Sequence, residues 1–433
     1  MGVPTAPMTT MRFAELVHNY AYSKGMPNER FTFVPHPVTG MPAATCREYL
    51  LGKDPISGKP VIDSVVEALT KPLSDDDMKT GQIERPVERF LQPDTEENLH
   101  RLFLENGLTD GLPIVVPTQE RVEAMLAATS HKPDEIVGKM QASSPHPAWS
   151  YTVEQVAVNA VMAGCDPEYF PVVLAIASTG VPALFTSTTS FTRAVVVNGP
   201  IAKEIGMNSS TGAMGPFNHA NATIGRAWTL MSKNLDGGGK IGETYMGSQG
   251  NNLNYNNICF AEKEEALPEG WSPFHVQKGF KADESVVSLF NGWGLIRPDT
   301  SFSKDLAPQM PYWLQFTPFT SATLYLDPVV VRQLVSEGFD TKEKLSQYIF
   351  DNSKLTAKSF WGDYYHVQNF ILPNAKKGTE PYASWLKLAD DELVPRFRDP
   401  QRINVLVVGG EMNLFWQASD LGYMVSASID KWK

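Results

Sequence analysis

The clearest periodicity along the chain lies between residues 94 and 178. Apolar positions recur at three- and four-residue spacing in "DTEENLHRLFLENGL", opened by Asp94 or Thr95, and in "TQERVEAMLAATS", where Thr118 is the N-cap ahead of Glu120 and Arg121. "TVEQVAVNAVMAGC" has the pattern of an amphipathic to buried helix, and "DPEYFPVVLAIAST" that of a second helix entered through Asp166 and Pro167. Strands are expected where apolar and β-branched residues run without a helical period: Leu112–Val116 between prolines, "RAVVVNGP", "SATLYLDP" and "INVLVVGG". Between the last two fall two capped helices, "DPVVVRQLVSEG" and "DTKEKLSQYIFDNS". This alternation predicts an α/β or α+β fold, with a mixed sheet flanked by helices.

The first stretch of chain is patterned differently. Over residues 12–92 short helical segments are interrupted by turns marked with proline and glycine, as in "FVPHPVTGMP" and "GKDPISGKP". "SVVEALTKPLSDDDMK" keeps helical spacing, and Ser74 precedes three aspartates as an N-cap would. The expected organisation is an irregular N-terminal arm over 1–94, an α/β core with polar loops over 95–300, and a C-terminal α/β part over 301–433 that completes the core.

Composition narrows the class. The chain has 433 residues, 42% apolar and 20% charged, which suits a folded protein with a large core. Its formal charge is −11, with no dense run of lysine and arginine, and this excludes a general nucleic-acid or acidic-membrane surface. The three cysteines, Cys46, Cys165 and Cys259, are too few and too far apart for a disulfide framework or a CxxC motif. The opening "MGVPTAPMTTM" lacks the basic and apolar regions of a secretory signal, so a soluble, cytoplasmic protein is expected.

Candidate chemistry centres on three loops, 186–192, 208–226 and 248–262. "TGAMGPFNHANATIGRAW" is a glycine-spaced loop running into a helix, where free amides favour an anion. Neither a P-loop nor a dinucleotide fingerprint is present. The candidate assignments are His219 and His275 as proton-exchanging groups, since imidazole titrates near neutrality, and Cys165 as a nucleophile near a helix N-terminus. Asn221, Asn257, Asn198, Thr188 and Thr189 are candidates to orient a substrate, and Arg226 to meet its charge. Glu262 and His275 are candidate ligands for a divalent metal such as zinc or iron. The competing structural reading is turns and helix packing for the glycines, and core positions for the cysteines.

The phrases "ENGLTDGLPIVVPTQERVEAML", "VEQVAVNAVMAGCDPEYFPVVLAIA", "VVVNGP", "GPFNHANATIGRA" and "CFAEKEEA…PFHV", spread over residues 98–295, resemble an uncharacterised bacterial family. That family is associated with small thiol- or selenocysteine-containing partner proteins bearing a UGSC motif. The resemblance implies a subunit of a thiol- or selenol-assisted reductase or lyase that works with such a partner. An oligomer is expected, either a multi-subunit enzyme or one in which a fused arm wraps a neighbour. Two further classes remain open on the residues alone, a metal-dependent hydrolase or lyase and a non-catalytic scaffold subunit.

Overall fold

The computed structural model describes residues 4–79, 89–140, 148–184, 187, 189–235, 247–298, 305–315, 321–362 and 366–433. It has the expected α/β or α+β character. The chain forms two compact units that interleave along the sequence. One comprises Met1–Thr192, Ala222–Asn257 and Ile429–Lys433, the other Arg193–Asn221 and Ile258–Ser428.

The first unit opens with the arm. Strand Met8–Thr10 pairs in parallel with Thr32–Val34, and helices Ala43–Leu51 and Val61–Thr70 follow. The helical pattern around residues 64–79 divides in two, because Pro72 lacks an N–H and pushes Lys71 into extended backbone, at ψ 126°. Ser74 then caps only a single turn, its N–H and hydroxyl both donating to Asp77 Oδ2 at 2.8 and 2.7 Å.

Helices Glu96–Glu105, Gln119–Leu126 and Val153–Ala163 begin where the sequence signals them. Thr95 and Thr118 accept from the backbone N–H groups of Asn98 and Arg121, and Thr152 and Gln155 form a reciprocal capping box. The Leu112–Val116 strand is not formed. Pro113 and Pro117 remove two donors, and the segment is held instead by Val115 N–H on the Met162 carbonyl, 3.2 Å, and by the Arg226 and Arg121 side chains on the Pro113 and Val116 carbonyls, 2.8 Å each. Helix Phe170–Ser178 is buried over nearly its whole length, as expected of an apolar run. The glycine-spaced loop does lead into a helix, His219–Asn234. In the first unit its Trp228 is fully buried, with Nε1–H donating to the Val181 carbonyl at 2.8 Å.

The second unit carries two four-stranded sheets. In one, Thr192–Asn198 lies between Val286–Gly292 and Ile258–Ala261, with Gly422–Ser428 outside Val286–Gly292. Thr192–Asn198 runs parallel to Ile258–Ala261 and is buried throughout, as its β-branched sequence predicts. In the other, Ala322–Leu326 is parallel to Ile403–Val407 and antiparallel to Trp416–Ser419, with Leu295–Ile296 at the edge. Helices Pro328–Ser336 and Lys342–Asn352, capped by Asp327 and Thr341, cover this second sheet with Val331, Leu334, Leu345 and Ile349. Strands Thr192–Asn198 and Ile403–Val407 supply the ends from which the site is built.

Gly199, just after the first of these strands, has φ 87°, and a Cβ there would collide with the Glu284 carbonyl. Gly199→Ala is expected to lower stability in urea unfolding by about 3 kcal/mol or more. Gly206→Ala, at φ 66° with open space around it, is expected to cost only about 1 kcal/mol.

Candidate functional site

Ion pairing within the second unit is organised around Glu262, which follows strand Ile258–Ala261. Its side chain is fully buried. One oxygen accepts from the Lys342 ammonium at 2.6 Å and from Val407 N–H at 3.3 Å. The other accepts from Asn198 Nδ2 at 2.8 Å and from Phe274 N–H at 2.7 Å. A carboxylate removed from water needs this many donors, since an unmatched buried charge would protonate or unfold its surroundings. Lys342 is the first residue of its helix, Phe274 the first of helix Phe274–Gln277, Asn198 the last of its strand and Val407 the last of another. One side chain thus ties four element ends together.

Three of those elements wall a cavity of about 970 Å³. Phe274, Gln277 and Lys278 line it from the short helix and its C-terminal edge, Glu343, Ser346 and Gln347 from helix Lys342–Asn352, and Ile403, Asn404 and Val405 from the strand. Strand Gly422–Ser428 adds Tyr423 and Met424. Direct bonds keep the walls in register: Gln277 Nε2 donates to Glu343 at 2.6 Å, and Ser346 Oγ to the Ile403 carbonyl at 2.9 Å. The volume is that of an ordinary small-molecule site.

The half-buried cation of this cavity is Lys278. Its ammonium lies 4.4 Å from the Tyr423 ring centre and 4.8 Å from that of Phe274. Among the described residues no acceptor hydrogen-bonds to it. Burial, and after it the positive charge of Arg402, holds its pKa below the ordinary lysine value. Arg402 stands exposed among the lining residues, with Asp399 3.8 Å away, a surface pair that leaves the guanidinium largely available. Lys278 over its two rings and the exposed Arg402, with the carboxamides of Gln277, Gln347 and Gln401 around them, can meet a small anion that carries further polar groups, while the lining carboxylates Glu343 and Asp399 face Gln277 and Arg402.

Several residues singled out from sequence are engaged within the fold instead. Asn198 gives its Nδ2 to Glu262 and Glu264, and is fully buried. Asn221 clamps the preceding loop, accepting from Asn208 N–H and donating to the Asn208 and Ala213 carbonyls. His275 is fully buried, and among the described residues neither ring nitrogen has a hydrogen-bond partner. Its nearest carboxylate, Glu264, is 3.8 Å away, and with no exposed atom the ring has no route for exchanging protons with a substrate. Glu262, the candidate metal ligand, accepts from four donors, and the described residues contain no cluster of three or more His, Cys, Asp or Glu that could hold an ion. His219 is exposed at the start of its helix, beside Asn218, which caps that helix by accepting from Asn221 N–H.

The first unit holds the remaining candidates. Arg226 makes a two-pronged pair with Asp110, 2.8 Å for each bond, and a third bond to the Pro113 carbonyl, so its charge is matched internally. Asn257, at φ 52°, donates to the Gly225 carbonyl and to Thr229, holding the helix in place of a ligand. Thr189 is exposed and bonded to Ser187, and Thr188 lies outside the described residues. Cys165 is buried, and burial pushes its thiol up to about 12, away from the thiolate form a nucleophile uses.

Sequence reasoning missed Lys278, Arg402 and Lys342. One local signal was available, Phe274 and Lys278 at i, i+4 in "PFHVQKGF", the spacing that lays an ammonium over a ring. Tyr423 completes that platform from far along the chain.

Fold and pocket together describe a mixed α/β protein with a polar cavity whose charged lining is Lys278, Arg402, Glu343 and Asp399. In comparisons with known proteins, residues 1–52 match the model of the UGSC family. No curated protein and no solved structure matches the chain. The matched segment contains one cysteine, the half-buried Cys46 on helix Ala43–Leu51, and no Gly-Ser-Cys triplet.

These burials predict thiol reactivity. With an aromatic disulfide reagent at neutral pH, the native protein is expected to react at Cys46 alone, and at Cys165 and Cys259 only after unfolding. Rapid native labelling of Cys165 would contradict the placement described here.

Proposed function

We propose that this protein is an enzyme subunit whose second unit takes a small anionic substrate in the cavity lined by Lys278 and Arg402. The observation that supports this is the Lys278 ammonium, held over two aromatic rings in a cavity of about 970 Å³ with no hydrogen-bonded carboxylate among the described residues. A half-buried lysine that no carboxylate hydrogen-bonds, with Asp399 acting on it only through its charge, leaves a place for an arriving anion. A carboxylate or phosphate group would do so, and the surrounding carboxamides would receive its hydroxyl, amino or carbonyl groups.

The match of residues 1–52 to the UGSC family supports the finer reading, a thiol- or selenol-assisted reductase or lyase working with a second small protein. On this reading the reactive sulfur or selenium belongs to the partner, because Cys165 and Cys259 are buried and Cys46 lacks the motif that names the family.

The pocket assignment is tested by calorimetric titration of the purified chain with a panel of small carboxylates and phosphates. Lys278→Met is expected to weaken the best binder by about 10- to 100-fold, the loss of one charge-assisted contact of about 1.5–3 kcal/mol. Binding needs the charged ammonium, so affinity is expected to hold at neutral pH and to fall on the alkaline side, at a pH below the ordinary lysine value of about 10.4. Lys278→Arg keeps its charge and should bind without that alkaline loss. An affinity that Lys278→Met leaves unchanged would exclude this cavity as the anion site.

A further inference from the structure

We propose that helix Val61–Thr70 forms an interface between two copies of this chain, the two helices packing antiparallel about a two-fold axis at Val66. The helix buries only one edge, at Val61, while Ile62, Val66 and Leu69 are exposed, and Leu73 just beyond its end is 62% exposed. Spacings of four and three residues place Ile62, Val66 and Leu69 on one face. Sixteen of the thirty-one large hydrophobic side chains exposed among the described residues fall within residues 8–91, so the excess of uncovered apolar surface belongs to the arm. Apolar faces of this kind mark association surfaces.

The charges flanking the face favour a second copy over an unrelated partner. Lys59 and Lys71 reach Glu67 at 2.8 and 3.3 Å, and Asp63, on the same flank, has no ion pair among the described residues. Antiparallel packing brings the same flank of each helix together. The Lys71 ammonium, held beside Glu67, then meets Asp63 of the second copy, and the two-fold axis makes that contact twice. The face is therefore self-complementary, apolar along its centre and matched in charge along one edge.

The test uses the full chain, with light scattering after size exclusion and sedimentation velocity at micromolar concentrations. A dimer is expected. Val66→Asp should raise its dissociation constant by about 30-fold or more, as for a central contact, while circular dichroism and melting stay as in the parent because Val66 is exposed. Asp63→Lys and Lys71→Asp should each weaken the dimer, and the double exchange should restore it. Val66→Cys in a Cys46→Ser background should form a symmetric disulfide dimer on mild oxidation. A monomer at these concentrations, a dimer that Val66→Asp leaves intact, or failure of the Val66→Cys variant to cross-link would each overturn the proposal.

Discussion

The ion pair between Glu262 and Lys342 governs the second unit. Two opposite charges sit 2.6 Å apart with almost no exposure, and the carboxylate also holds Asn198, Phe274 and Val407. Such a pair is poor as a source of net stability, because desolvating both ions opposes their attraction, yet removing one partner strands the other. Its effect is positional. Three of the tied elements continue into the walls of the cavity, so the placement of Lys278, Gln347 and Asn404 follows from donors converging on a single buried carboxylate. Glu262, expected as a metal ligand, serves as a fastening.

Local signals carried far in this chain, and long-range ones did not. Thr95, Thr118, Thr152, Asp327 and Thr341 cap helices where side-chain chemistry says they should, and the runs over 192–198, 322–326 and 403–407 form strands because their β-branched residues have no helical period. Leu112–Val116 shows the limit of the same reasoning: apolar composition permits a strand, but two prolines deny it the donors a ladder requires. Strands Val286–Gly292 and Gly422–Ser428 pair with each other from positions far apart in sequence, and that partnership is written in neither segment alone.

The candidate residues divide along the same line. Asn221, Asn257 and Arg226 were marked because polar residues stood in glycine-rich loops, and the sequence does not reveal that Asn208, Gly225 and Asp110 would occupy their donors and acceptors. Lys278 was passed over because one of its two supporting rings, Tyr423, comes from a distant strand. The interleaving of the two units has the same cause, since contacts that gather 193–221 with 258–428 leave no mark on composition. Where polar residues are plentiful, the informative feature is a charge left without a hydrogen-bonded partner after the fold has formed. In this cavity that charge is Lys278.

The most direct test of this organisation is a double-mutant cycle on Glu262 and Lys342, measured by urea unfolding. Lys342→Met alone is expected to cost about 3–5 kcal/mol, because it strands a buried carboxylate, whereas adding Glu262→Gln should recover a large part of that loss. Costs of under about 1 kcal/mol for both single changes, with no coupling between them, would show that the carboxylate does not hold the pocket walls together.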